Sequence, residues 1–577
     1  MERSAAKQAD SGRGAEGESA RKYRVALAGV LIVAGAFRLV GLDRFPPAIN
    51  QDEAVHAYDT YCVRTVGMDH WGQRWPIFFR SFGAADYHAG VYHYVLLPIQ
   101  ALLGMNVLST RLPAALLGTL HVAFVYLLLR RLYDRRIALL AAMLLAVCPW
   151  AVLLSRIAFE VALCPGLTML GLWLLARSGV NRPESERVRP AEALALGLAG
   201  LALGLAMWTY NAYRIIVPLL LVGGGVLFAP WVRGFLRRPN GWRGAGVAVA
   251  GFVLALSPFL WATVRTPEQA WGRALHISIL GSGSDFFAAL PKIARAYLIH
   301  FHPDFLFFRG DRIQQDPGWG QLHHLHMLLL PLGLWRVVRR ARTERFGWFV
   351  VYWILVSPLP AALTLPESPN WTRASGVLPA YDLLAAFGLS LVLAAARRRS
   401  PRTYRTAATA CGAAIAANVA AYVGLFVLRY PVASYRKFQA EWAEVMPEVR
   451  RREPEYDAVL LTTRGANQLY MLYLFWGRVD PRECLDMARQ VRVGEQWDYT
   501  AQLGKVLFWG SEVLPELAKE LSPGARVLVA ERPGVPVPGR ELKRYVYPTG
   551  QPALVLYHVE LPSRRAPGPG EPEPPRQ

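Results

Sequence analysis

The chain has 577 residues, of which 53% are hydrophobic and only 18% charged, and its mean hydropathy is +0.21. Soluble proteins carry about 25% charged residues, so this composition excludes an ordinary soluble enzyme and describes a polytopic membrane protein. The net charge of +22 lies in short arginine-rich loops between apolar runs. It is therefore topology signal, and no nucleic-acid partner follows from it.

In chain order, residues 1–23 are polar and end in Arg21 and Lys22, with Arg24 opening an apolar run to about 40. This predicts a cytoplasmic tail followed by an uncleaved first membrane helix. Spanning the bilayer takes roughly 20 apolar residues. Runs of that kind fall at about 24–40, 107–129, 137–153, 158–176, 191–209, 214–230, 244–263, 321–337, 346–363, 377–396 and 406–429, about eleven in all. Basic clusters such as Arg130–Arg136, Arg233–Arg243, Arg339–Arg345 and Arg397–Arg405 recur between alternate pairs. With the N-terminus inside, every cluster is cytoplasmic, as the positive-inside rule requires. Counting 91–104 as a span would reverse all later clusters, so it reads as a re-entrant or interfacial helix.

The expected layout is a membrane domain over 24–430, with outer loops at 41–106 and 264–320. A small extracytoplasmic α/β domain over 431–562 follows, then a Pro/Gly-rich disordered tail over 563–577. Strands are expected at 457–463, 526–531 and 553–561, and a helix at 511–521 with Ser511 as its cap. The five cysteines, Cys62, Cys148, Cys164, Cys411 and Cys484, have neither disulfide nor zinc spacing.

Function is expected on the outer face, where the long loops are. Asp52 and Glu53 form an acidic pair just beyond the first span. A half-desolvated carboxylate there suits a general base or a cation ligand, while Asn50 or Asp52 would equally cap a short helix. Glu160 opens an apolar segment, and acids in that position are functional candidates. Arg156, four residues earlier, would neutralise it if the two shared a helix face. Arg214 and Arg373 are lone arginines on the outer face, suited either to a phosphate fork or to snorkelling. His300 and His302 would share one face of a strand and could ligate an ion, or could belong to an aromatic belt. "GSGSD" (281–285) is a weak phosphate-loop candidate. Intramembrane charge also occurs in transporters and lipid flippases, although broken-helix pairs and inverted repeats are not evident in the sequence.

The stretches "FPPAINQDEAVHAYDTYCVRTVGMDHWG", "LSTRLPAALLGTLHVAFVYLLLRRLYDRR", "CPWAVLLSRIAFE", "MWTYNAYRIIVPL" and "FHPDFLFFRGD" resemble the phospholipid-carrier-dependent glycosyltransferases of family 39 type. That family belongs to the GT-C superfamily, alongside protein O-mannosyltransferases and the lipid A aminoarabinose transferase. The resemblance covers roughly 24–430 and implies an inverting transferase in the bacterial cytoplasmic membrane, active at the outer, periplasmic face. Its donor would be a polyprenyl-phosphate sugar amid membrane lipids, and its acceptor a glycan, a lipid or a protein. Asp52 would be the catalytic aspartate, Glu53 its acidic neighbour and Glu160 the second acid. Arg156 and Arg373 would lie near the lipid phosphate, with Arg214 a further candidate. Asp86, His88 and His302 would be substrate or cation contacts. The resemblance implies no definite cofactor; it leaves room for a divalent cation without naming its ligands.

Overall fold

The computed structural model describes residues 2–82, 86–180, 187–279, 286–311, 318–364, 369–488 and 501–562, with the backbone alone for 2–20, 286 and 488. The glycine-rich 281–285 loop, Arg182 and the C-terminal tail lie outside the described residues. The chain folds as two compact units. One comprises residues 1–46, 77–79 and 85–434; the other comprises 47–76, 80–84 and 435–577.

The first unit is helical. It opens with α1 (Glu2–Leu39), after which the chain leaves for α2 (Gln51–Val66) in the second unit. It returns through a two-stranded ribbon, β1 (Phe78–Arg80) with β2 (Tyr87–Ala89), into α3 (Val91–Leu103). At 1.5 Å per residue α3 is about 20 Å long, short of the roughly 30 Å hydrocarbon core. There follow α4 (Val107–Leu132), α5 (Arg135–Val147), α6 (Pro149–Leu154), α7 (Cys164–Arg177), α8 (Pro190–Thr209) and α9 (Tyr213–Leu227). Next come α10 (Ala229–Arg237), α11 (Gly241–Arg265), α12 (Pro267–His276), α13 (Phe286–Leu298), α14 (His326–Arg339) and α15 (Arg345–Val356). The unit closes with α16 (Leu359–Ala362), α17 (Ala380–Arg399), α18 (Pro401–Leu428) and α19 (Tyr430–Ser434).

Among the described residues seven helices are long and apolar enough to cross a membrane, or eight if α9 and α10, bent by 79°, form one span. Of the eleven expected runs, 24–40, 137–153 and 321–337 are not among these; within 321–337 the helix α14 has 14 residues, and 137–153 is broken. α5 stops at Cys148, and Pro149, which has no N–H to continue α5, starts α6.

Small residues let the helices touch. Gly200 of α8 faces the Ala248 carbonyl of α11, and Gly251 of α11 faces the Gly197 carbonyl of α8; a Cβ at either position would overlap that backbone. Gly333 of α14 and Gly388 of α17 make a second close approach, against the carbonyls of Leu384 and Leu329.

The second unit is built on a six-stranded mixed sheet. Its strands are β3 (Ala458–Leu461), β4 (Gln502–Leu503), β5 (Val506–Leu507), β6 (Arg526–Glu531), β7 (Arg540–Val546) and β8 (Pro552–Glu560), ordered β4-β5-β3-β6-β8-β7. β3 runs parallel to β5 and β6, whereas β8 is antiparallel to β6 and β7. The strands expected at 457–463, 526–531 and 553–561 thus correspond to β3, β6 and β8. The expected 511–521 helix is a 3-10 turn, Ser511–Val513, running into Leu514–Glu520. Gly510 takes the cap position, and the Ser511 N–H donates to Glu531 Oε2 at 2.8 Å. Leu514 and Leu517 pack on Leu460, Val527 and Val529 of the sheet.

The boundary differs from the one expected at 430. Residues 47–76 and 80–84 of the first outer loop fold with the C-terminal segment. Tyr58 of α2 donates to the Val479 carbonyl at 3.1 Å, and Tyr470 donates to the Ser81 carbonyl at 3.0 Å.

Candidate active site

In the first unit, arginines secure the chain where α1 ends. A helix leaves its last carbonyls without intrahelical partners, and Arg156 supplies donors for those of α1. Its Nη1 donates to Phe37 O at 2.8 Å, and its Nη2 to Val40 O at 3.0 Å and Gly41 O at 2.7 Å. Its Nε donates to Phe45 O at 2.8 Å. Arg111 holds the next residues through Leu42 O at 3.1 Å and Pro46 O at 2.8 Å. Arg38 of α1 in turn binds the carbonyls of Leu145 and Ala146 at the end of α5.

This corrects two expectations. Arg156 is a backbone clamp, not a free phosphate fork. It also shares no helix with Glu160, because residues 155–159 form a turn and Glu160 begins a 3-10 segment. Arg214 is likewise structural. Its Nη1 donates to Ala270 O at 2.5 Å, and its guanidinium lies over the rings of Phe259 (4.5 Å) and Trp271 (5.2 Å).

A different set gathers around Tyr210, at the end of α8. The Tyr210 phenol lies within electrostatic reach of Arg373, Glu160 and Arg273. Burial pushes the phenol pKa upward. Glu160 adds to that shift, while Arg373 and Arg273 oppose it. Arg273, on α12, is fixed by Asp86 at 2.8 Å and touches His88 Nε2. A cation on Asp86 and His88 would have to displace this guanidinium, so the geometry gives both residues an arginine partner.

The Arg373 loop is itself held rigidly. The Arg373 N–H donates to Asn370 Oδ1 at 2.8 Å, and its Nη1 donates to Thr364 Oγ1 at 3.0 Å. The Asn370 N–H donates to His300 Nε2 at 3.1 Å, and the Trp371 N–H to Asp311 Oδ2 at 3.3 Å. His300 Nδ1 donates to Ala296 O at 2.8 Å. An imidazole that accepts through Nε2 is neutral, in keeping with the downward pKa shift that burial imposes on it.

The "HFHPDFLFFRGD" stretch is therefore a support for the Arg373 loop. His300 lies in a 3-10 turn and Asp304–Phe308 in a π-helical turn, so the strand that would have aligned His300 with His302 does not form. His302 is exposed and accepts from the Asp304 N–H at 3.2 Å.

Sequence reading passed over Arg273, Tyr210 and the His300–Asp311 support. Arg273 is one of several basic residues between 264 and 320, beside Arg265, Arg295 and Arg309, so nothing local set it apart. The support pairs residues about 60–70 positions apart and left no local signal.

In the second unit, α2 carries the acidic pair. Asn50 is its N-cap, in extended backbone, and its side chain accepts from the Glu53 N–H at 2.9 Å. Glu53 returns the contact by accepting from the Asn50 N–H at 3.3 Å. This is a capping box, and it gives the fully buried Glu53 a structural part. Asp52 is half-buried in the first turn of the helix.

Midway along α2, Asp59 accepts from the backbone N–H and Nδ1 of His70 at 2.9 and 2.6 Å. Neighbouring Asp69 accepts from the N–H groups of Trp71 (3.0 Å) and Gln73 (2.8 Å). Burial, reinforced by Asp59, pushes the Asp69 carboxyl up to about 7.

The family described as dolichyl-phosphate-mannose-protein mannosyltransferase matches residues 87–261. Among curated proteins, the undecaprenyl phosphate-alpha-4-amino-4-deoxy-L-arabinose arabinosyl transferase 1 of Pseudomonas fluorescens is 27% identical over 305 residues. The match takes in 51% of this chain and 46% of that protein, so the chain spans about half the length of the curated relative it matches. Among solved structures, ArnT from Cupriavidus metallidurans in the apo state aligns over 94% of this chain and 98% of its own, with a TM-score of 0.54 at 16% identity. ArnT bound to undecaprenyl phosphate gives 0.52, also at 16% identity, over 92% and 97%. The Archaeoglobus fulgidus oligosaccharyltransferase in the apo form gives 0.52 at 14% identity, over 79% and 64%. At these identities the structures establish the fold alone. The chain therefore shares the fold of ArnT and of the oligosaccharyltransferase, and its residues 87–261 match the mannosyltransferase family in sequence.

Proposed function

We propose that this protein is an inverting glycosyltransferase that moves a sugar from a polyprenyl-phosphate donor to an acceptor at the outer face of the bacterial cytoplasmic membrane. The observation that carries the reading is a pair of arginines held in place, Arg273 by Asp86 and Arg373 by Thr364, in a unit that contains membrane-length helices. Two fixed guanidiniums suit a phosphate that leaves with its charge. The related proteins described above are transferases, one of them solved with undecaprenyl phosphate, which counts against a transporter or flippase.

In this mechanism the bond between the anomeric carbon and the phosphate oxygen breaks as the acceptor oxygen or nitrogen attacks from the opposite face. The electron pair leaves with the lipid phosphate, which Arg373 and Arg273 stabilise without a protonating acid. Asp52 takes the acceptor's proton, and the anomeric centre inverts. Glu160 orients the sugar or the cationic side chains beside it. The positive-inside pattern puts the N-terminus in the cytoplasm and the α/β unit outside.

The test is transfer from a panel of short-chain polyprenyl-phosphate sugars by the purified chain in nanodiscs, wild type beside Asp52→Asn. Turnover of one donor, lost in the variant, supports the reading. Equal turnover in both removes Asp52 as base.

A further inference from the structure

The ends of the bundle opposite Arg373 carry a second place for an anion. The Arg373 loop lies just before α17, and Arg397 sits near its other end. At 1.5 Å per residue the 20 residues of α17 separate the two by about 30 Å, a bilayer's hydrocarbon thickness. At that far end a cleft of about 460 Å³ opens between α1, α5, α14, α17 and α18.

Its polar wall is made by Arg136, Arg336, Arg340 and Arg397 with Tyr23 and Tyr404. Arg336 is buried, bonded to Glu344 Oε1 at 2.9 Å and to Ser390 Oγ at 2.5 Å, and it forms the floor. Arg340 shares Glu344 at 3.1 Å yet keeps half its side chain exposed. Arg136 is positioned by the Tyr23 hydroxyl at 3.2 Å. Arg397 makes no hydrogen bond or ion pair with any described residue. Against these four cations stand Asp134, which is engaged in capping α5, and the shared Glu344. The cleft therefore keeps an excess of positive charge. Its other wall is apolar, built by Leu139 and Leu140 of α5 and Leu391 and Leu393 of α17.

Arginines that only mark topology need no walls. These line a bounded space in which a charged lip adjoins a greasy side, and the lip stands at the end of spans that cross the bilayer. We infer that the cleft formed by Arg136, Arg336, Arg340 and Arg397 beside Leu139 and Leu391 binds the headgroup of an anionic glycerophospholipid. The phosphodiester sits among the arginines and tyrosines, and the acyl chains run along the leucine wall. A free phosphate would leave that wall unused. This site is independent of the proposed transfer site at the other end of α17.

The test is native mass spectrometry of the full chain in detergent with added phosphatidylglycerol, phosphatidylcholine or inorganic phosphate. Wild type retains phosphatidylglycerol over phosphatidylcholine, and the double variant R136Q/R397Q binds it about thirtyfold more weakly, from two lost headgroup charges. R136K/R397K, which keeps the charge, retains most of the binding. Should the double variant be unstable, the exposed single variant R397Q, with about a fivefold loss, replaces it. Equal retention of the two lipids, or unchanged binding in the glutamine variants, overturns the inference. Displacement of phosphatidylglycerol by millimolar inorganic phosphate also overturns it, by assigning the cleft to free phosphate.

Discussion

Replacing Arg156 with alanine separates a structural arginine from a ligand-binding one. The substitution removes four donors that hold the carbonyls of Phe37, Val40, Gly41 and Phe45 at 2.7–3.0 Å. At roughly 1 kcal/mol net for each hydrogen bond the loss is about 4 kcal/mol. The missing cation at the C-terminus of α1 adds about 0.3–1 kcal/mol. Arg156→Lys restores the charge but not the fork that reaches four carbonyls, so it recovers only part of that.

Arg373→Gln loses the Nη1 bond to Thr364 but none of the bonds that close α1, so its melting temperature should fall less than that of Arg156→Ala while the KM for a polyprenyl-phosphate sugar rises at least tenfold. Thermal melting in detergent, followed by fluorescence-detected size exclusion, reads the first quantity; initial-rate kinetics in nanodiscs reads the second. Arg156→Ala should melt several degrees lower, with a KM that scarcely moves in the protein that remains folded. If instead Arg156→Ala melts like wild type and raises the KM, Arg156 binds the donor phosphate and the reasoning from its carbonyl contacts fails.

Other expectations follow from particular contacts. Glu53→Ala should lower thermal stability by about 1 kcal/mol, the usual worth of a helix cap, and leave turnover measurable, whereas Asp52→Asn should abolish turnover at unchanged stability. Asp69 is raised to about 7 in the fold and returns to the ordinary carboxylate range when unfolded. The folded state then holds the extra proton, so stability is greatest at acid pH, falls from about pH 4 to 7 and is level above. Asp69→Asn keeps an oxygen to accept from Trp71 and Gln73 and should flatten that slope, read as melting temperature against pH. Gly200→Leu should drive α8 from α11 at a cost of about 3 kcal/mol or more, seen as aggregation or a lowered melting temperature; an unaltered protein would refute that close approach.

The sequence by itself determined what depends on neighbouring residues. Hydropathy marks spans because each backbone in lipid must satisfy its own hydrogen bonds over a fixed length. The short strands of the α/β unit and the cap at Asn50 were legible for the same local reason, and so was the acidic pair of α2. The quoted motifs also carried the resemblance to the GT-C transferases.

What an arginine does, by contrast, was decided only by tertiary structure. Arg156, Arg214, Arg273 and Arg373 look alike in sequence, as arginines in the segments that join apolar runs. Yet Arg156 closes α1 more than 110 residues away, Arg214 lies against Phe259 and Trp271, and Arg273 meets Asp86 across 187 residues. The division of the first outer loop was equally illegible, because residues 47–76 join the C-terminal unit through contacts such as Tyr58 to Val479, 421 positions apart. A guanidinium's five donors can serve a backbone, a ring or a phosphate with similar energy. The choice among them belongs to whichever partner the fold brings within 3 Å, and no window of sequence contains that partner.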